Sequence, residues 1–138
     1  MFLTALIFGA TSALAAESPA ANWPQFRGVN SAGVSTEAKP PVKIGPTEGV
    51  LWKIEVPWSP SSPCVGGDRI LLTTFHDGQR ETRCHGRADG RLRLARGVKP
   101  EGLEEFHRSD GSPAASTPAT DGRHVVSYFG SFGLICHD

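Results

Sequence analysis

The chain has 138 residues, and its 14 Lys plus Arg balance 14 Asp plus Glu, so the formal net charge at pH 7 is zero. That balance gives no electrostatic footprint for nucleic acid or an anionic membrane surface, and neither is expected as a partner. Sixteen Gly and eleven Pro leave little room for long helices and favour short strands joined by tight turns.

Residues 2–16 carry no charge, and an apolar run over residues 2–10 passes into Ala13-Leu14-Ala15-Ala16, an A-x-A-like cleavage site. The run falls short of the roughly 20 apolar residues of a membrane span. Residues 1–16 therefore read as a signal peptide without stable membrane insertion, and the mature chain as exported, to the periplasm or outside the cell. No Lys or Arg precedes the run. Either the α-amino group serves alone or the true start lies upstream, with a misassigned start codon as the competing reading. No Cys follows closely, so a lipid anchor at this site is not indicated.

Residues 17–49 form a tether and an irregular stretch, opening on Asn22-Trp23-Pro24-Gln25-Phe26-Arg27-Gly28. Residues 49–57 alternate apolar with polar around Trp52, Ile54 and Val56, the cleanest pattern of a half-buried strand. Gly66-Gly67-Asp68 is a hairpin-type connector, because Gly tolerates the positive φ of such turns. Residues 69–75 follow as a strand suited to burial on both faces. His76-Asp77-Gly78 turns the chain into a short strand around Cys84, and Ala88-Asp89-Gly90 turns it into residues 91–96. Residues 50–98 thus predict one four-stranded antiparallel unit. Residues 99–115 are mainly a long loop, with a possible helical turn over 100–106, and a loop of that length often carries function. Residues 116–138 restart the strands, with Tyr128-Phe129-Gly130-Ser131-Phe132-Gly133-Leu134 as an aromatic hairpin.

One segment occurs twice, roughly 55 residues apart, and self-similarity of this kind marks solenoids, propellers or arrays. Ser61-Ser62-Pro63-Cys64-Val65-Gly66-Gly67-Asp68-Arg69-Ile70-Leu71 returns as Ser116-Thr117-Pro118-Ala119-Thr120-Asp121-Gly122-Arg123-His124-Val125-Val126. Cys84-His85 is echoed by Cys136-His137. The second copy is still running at Asp138, so the sequence reads as an N-terminal fragment.

The order of Asn22-Trp23-Pro24-Gln25-Phe26-Arg27-Gly28, Val50-Leu51-Trp52-Lys53, Ser61-Ser62-Pro63, Gly67-Asp68-Arg69-Ile70, the second copy and the aromatic hairpin resembles exported bacterial quinoprotein-like β-propellers. These are the pyrroloquinoline-quinone (PQQ)-like repeat proteins, among them the propeller subunit of the outer-membrane β-barrel assembly machine. The resemblance covers residues 22–138. It implies an all-β fold: a partial β-propeller of about two to three four-stranded antiparallel blades, from a parent commonly of eight. Leu94 stands where a family blade usually ends on Trp, and Gly86 and Asp89 stand where Asp and Thr are favoured.

For the dehydrogenases of the family, the resemblance implies a catalytic Asp, carboxylate and amide Ca²⁺ ligands, and often adjacent cysteines beside the quinone. No Cys-Cys pair occurs, and no catalytic, cofactor-binding or metal-ligating position carries over onto this sequence. No cofactor is therefore expected in this chain, PQQ and calcium belonging only to a full-length parent. The Cys84-His85 and Cys136-His137 pairs have zinc-type chemistry, but strand neighbours point to opposite faces, so both cysteines are expected as core residues at equivalent positions. Three cysteines, Cys64, Cys84 and Cys136, leave a free thiol or an intermolecular pair in an exported chain. His76 reads as a turn residue, His124 as a solvent-facing strand residue, and His107 as the one histidine worth a functional test. Trp23, Phe26, Trp52, Phe75, Phe129 and Phe132 are expected as core. The Arg-rich stretch from Arg80 to Arg96, interleaved with Asp77, Glu81 and Asp89, reads as a solvated face. The leading expectation is an exported non-catalytic scaffold whose partners are proteins or peptides on a propeller face or strand edges; the alternative is the N-terminal piece of a PQQ-dependent dehydrogenase.

Overall fold

A computed structural model describes residues 22–36, 38–102, 105–106, 109 and 111–138. The expected signal peptide, His107 and part of the expected helical turn over 100–106 lie outside these residues. The described residues are all-β, in two antiparallel sheets. The first is four-stranded, in the order β1 Cys64–Gly66, β2 Arg69–His76, β3 Gln79–Gly86 and β4 Leu92–Val98. The second is three-stranded, in the order β5 Ala119–Thr120, β6 Val125–Tyr128 and β7 Leu134–His137. The only helical elements among the described residues are 3-10 turns at Val29–Ser31 and Gly130–Phe132.

The turn chemistry places these strands. Asp77 and Gly78, at φ 49 and 75, close the two-residue β2–β3 hairpin, since paired positive φ matches the right-handed strand twist. The β3–β4 ladder shifts register between Cys84 and His85, where the chain turns through Ala88-Asp89-Gly90. The aromatic hairpin forms as expected, with Tyr128 paired to Leu134 across the Gly130–Phe132 turn.

The strand expected over residues 49–57 does not form: residues 52–63 carry no ladder, and the sheet begins at Cys64. Alternation sets which side chains are buried, but a strand also needs a neighbour for its N–H and C=O groups. The place beside β2 is taken by β1, and Ser61 Oγ accepts the Thr73 N–H at 3.2 Å just beyond β1's end. Leu51 is left 93% exposed. Trp52 instead acts as an anchor. Its indole N–H donates to the Arg87 carbonyl at 2.9 Å, and its ring lies on the backbone of Gly90.

The two copies of the repeat occupy equivalent positions in the two sheets. Row Cys64–Leu71–Cys84 in the first sheet corresponds to row Ala119–Val126–Cys136 in the second. The sheets pack so that Cys64, Leu71 and Val125 form one buried cluster, with Cys84 against it. Around it the contact is polar: the Thr82 hydroxyl donates to Ser127 Oγ at 2.7 Å, and buried Thr73 Oγ1 lies 2.9 and 2.8 Å from the Ala114 and Ser116 carbonyls. The two Ser/Thr-Pro motifs touch directly, the Ser62 N–H donating to Thr117 Oγ1 at 3.2 Å. The Asn22-Trp23-Pro24 motif staples both sheets. Trp23 exchanges two 2.8 Å backbone hydrogen bonds with Val65, the Pro24 carbonyl accepts from Thr120 N–H, and Asn22 Oδ1 accepts from Gly67 N–H.

Several side chains depart from expectation. Phe129 is buried at 1% exposure, but Phe26 and Phe132 are exposed at 59% and 42%, because each sits in a turn rather than a strand. Arg80 is fully buried, paired in the ladder with Phe75 and Val98, and Arg83 is half-buried against Glu81 at 2.7 Å. Only the later part of the Arg-rich stretch, including Arg91 and Arg93, is a solvated face; inward-facing positions of β3 bury its start.

A Cβ at Gly90 would lie 2.6 Å from the Trp52 ring, at φ +69, whereas one at Gly122, at φ +94, would meet nothing within 4 Å. Gly90→Ala is expected to cost about 3 kcal/mol from combined backbone strain and overpacking. Gly122→Ala is expected to cost about 1 kcal/mol from backbone strain alone. Urea denaturation of both variants measures the difference.

Candidate functional site

The chemistry-bearing residues fall at four places. The Cys-His pairs obey strand alternation. Cys84 faces the second sheet with Leu71, while His85, paired with Ile70, points to the opposite face. His85 is 3% exposed and its Nδ1 lies 2.9 Å from the Gly90 carbonyl, which only accepts, so Nδ1 carries the proton. In the second sheet Cys136 is exposed and His137 lines the gap between the sheets, where its Nε2 is buried without a hydrogen-bond partner among the described residues. Among the described residues, no three His, Cys, Asp or Glu side chains converge in metal-binding geometry.

The expectation that Cys84 and Cys136 share one environment is corrected. They hold equivalent register positions, but a sheet covers only the first. Cys64 is fully buried, and burial pushes its thiol up to about 11. Burial also raises the Cys84 thiol. All three cysteines are free.

The gap between the sheets, lined by Arg69, Cys84, Arg96, Arg123, His137 and Asp138 among others, encloses about 50 Å³. Ligand pockets run to roughly 300–1,000 Å³, so this gap has room for water rather than for a cofactor. Larger open clefts lie elsewhere. One of about 320 Å³ sits beside the staple at Asn22, Pro24, Thr120 and Asp121. Another of about 360 Å³ is walled by Trp58, Phe75 and Phe106 with His76 and Asp77. His76 ends β2, exposed, with Nε2 3.2 Å from the Asp77 carboxylate, in keeping with a turn role.

His124 is not a strand residue, since β6 begins at Val125. It closes a turn built on Asp121, whose carboxylate accepts from the Arg123 and His124 backbone N–H groups and meets His124 Nδ1 at 2.8 Å. The His124 side chain first, then these N–H groups, hold the Asp121 carboxyl far below the usual carboxylate range. Asp68 is lowered likewise, chiefly by its hydrogen bond from Arg93.

The fourth place is the outer face of the second sheet. Val126, Tyr128 and Leu134, exposed at 38%, 49% and 72%, share it with Cys136. It is the counterpart of the first sheet's covered face, and it carries contiguous apolar area of the kind that marks interaction surfaces. Sequence reasoning did not find this face or the aromatic cleft. The signal for the face was available in the alignment of Leu71 with Val126, but its exposure depends on which sheet covers which.

Comparison of the chain with protein families, curated proteins and solved structures yields no match.

The thiols are expected to react in order of cover. At pH 8, iodoacetamide followed by peptide mass spectrometry should label Cys136 first and Cys64 last. Cys64 should lag an unperturbed thiol of pKa near 8.5 by about 100-fold, and its rate should climb with pH to about 11. A depressed Asp121 pKa contributes stability that is present above its unfolded value of about 3.9 and lost as pH falls toward the folded value. Asp121→Asn should therefore lower the urea midpoint at pH 6 and leave a smaller difference at pH 3.

Proposed function

We propose that the chain is part of an exported, PQQ-like β-propeller repeat protein and acts as a non-catalytic binding scaffold. The observation that carries this reading is the placement of the two sequence copies. Each copy supplies two antiparallel strands joined through a glycine turn, and the sheets stack with the Cys64–Leu71 row of the first against Val125 of the second, the position that corresponds to Ile70. Successive sheets related in this way are successive blades, which fits the order of motifs from Asn22 to Leu134. The described part of the second unit has three strands, and it offers partners both the outer face at Val126, Tyr128 and Leu134 and the edge of β7. A protein or peptide partner laid there would bury apolar side chains and add main-chain hydrogen bonds to a strand edge. No described helix is long and apolar enough to cross a membrane.

Peptides selected on the immobilised chain should include binders that lose at least about 10-fold in affinity with Leu134→Glu, since that change puts a charge into an apolar contact. Circular dichroism should show the variant still folded. Selection that yields no peptide sensitive to Leu134 overturns the scaffold reading. Retention of pyrroloquinoline quinone in the presence of Ca²⁺, with Ca²⁺-dependent dye reduction, would replace it with the dehydrogenase reading. A reporter enzyme fused after residue 21 and found outside the cytoplasm tests export.

A further inference from the structure

We propose that the aromatic cleft formed by Trp58, Phe75 and Phe106, with Asp77 at its rim, binds the quaternary ammonium group of a small soluble molecule. The inference is independent of the propeller reading, because it uses only local geometry. Three separate segments build the cleft: the stretch before β1 brings Trp58, the end of β2 brings Phe75, and the long loop brings Phe106. Phe75 and Phe106 meet edge to face, with centroids 5.7 Å apart and planes at 79°, so two walls stand nearly at right angles. Trp58 adds the third wall and leaves 54% of its surface in water. The open volume of about 360 Å³ lies within the range of small-molecule sites.

The charge of the lining selects the ligand. Aromatic faces are the negative end of a quadrupole and attract cations, Trp most strongly. Among the described residues, the acid in the lining is Asp77, with its side chain 80% exposed, and no Lys or Arg is in the lining. His76 Nε2 lies 3.2 Å from this carboxylate. Rings and carboxylate thus favour the same sign. A primary ammonium needs acceptors for its three N–H groups, and the aromatic walls supply none beside Asp77 and His76. A methylated ammonium has no N–H to satisfy and presents methyl groups to the rings while keeping its charge. The two-residue turn of the β2–β3 hairpin fixes the backbone position of Asp77 beside the cleft.

The test titrates the full chain with choline and with its uncharged isostere 3,3-dimethyl-1-butanol. Tryptophan fluorescence and saturation-transfer NMR of the probe methyls read the binding. Choline is expected to saturate in the millimolar range and to bind about 10-fold more tightly than the isostere. Trp58→Ala should abolish saturation and Asp77→Asn should weaken it about threefold or more, both with unchanged circular dichroism. Asn retains the tolerance for positive φ that this turn position needs. Four results would each overturn the proposal: no saturable choline binding, an isostere within about threefold of choline, binding unaffected by Trp58→Ala, or association with phosphatidylcholine vesicles without response to free choline.

Discussion

The Thr82 hydroxyl donates to Ser127 Oγ at 2.7 Å across the space between the two sheets, beside a small apolar patch of Cys64, Leu71 and Val125. Cys64, Leu71 and Val125 are only modest hydrophobes, and a patch of this size is worth a few kcal/mol of burial. Hydroxyls and carbonyls surround this patch, and at Thr73 and Thr82 the hydroxyls meet specific partners, because an unpaired polar atom here would cost about 1–3 kcal/mol. The contact therefore fixes one relative position of the sheets more than it contributes bulk stability. Strands β3 and β6 must be in register for the hydroxyl pair to form.

The N-terminal motif Asn22-Trp23-Pro24 makes that register hard to lose. It pairs by backbone with β1 in the first sheet, and its Pro24 carbonyl accepts from the Thr120 N–H of β5 in the second, so sliding one sheet would break bonds in both. Proline suits this site because Trp23 forms the bridge with its own N–H, while Pro24, which has no N–H to satisfy, uses only its carbonyl. Trp52 secures the other side of the first sheet, its ring seated on Gly90 and its N–H on the Arg87 carbonyl. Both tryptophans are half-buried, and Trp52 has its apolar body packed and its polar edge paired, the arrangement expected of a large amphipathic ring.

The surfaces left open follow from the same architecture. Stacking covers one face of the first sheet and leaves its counterpart on the second exposed, so the equivalent residues Leu71 and Val126 have different surroundings. The aromatic cleft arises at the far end of the first sheet, where the long loop returns Phe106 to Phe75. These two surfaces differ in chemistry: one is an exposed apolar sheet face, the other a concave cleft walled by aromatic rings with Asp77 beside it.

Much of the local structure was legible in the residues themselves. The Asp77-Gly78 turn, the hairpin through Gly130, the strands around Leu71 and Cys84, and the opposite facing of Cys84 and His85 all follow from turn chemistry and the period of two, which act over a few bonds. Other features depended on neighbours that no local pattern names. Residues 49–57 alternate like a strand but stay unpaired, because β1 takes the edge that they would need. Phe26 and Phe132 are large and apolar yet exposed, because their turns lie at the rim of the sheets. Arg80 is charged yet buried, since its position on β3 faces inward with Phe75. Cys136 is exposed where Cys84 is covered. The sequence by itself determined the β class, the turns and the repeat, through backbone preferences and side-chain alternation. Tertiary structure alone decided burial at equivalent positions and the gathering of Trp58, Phe75 and Phe106, because both depend on contacts between segments far apart in the chain.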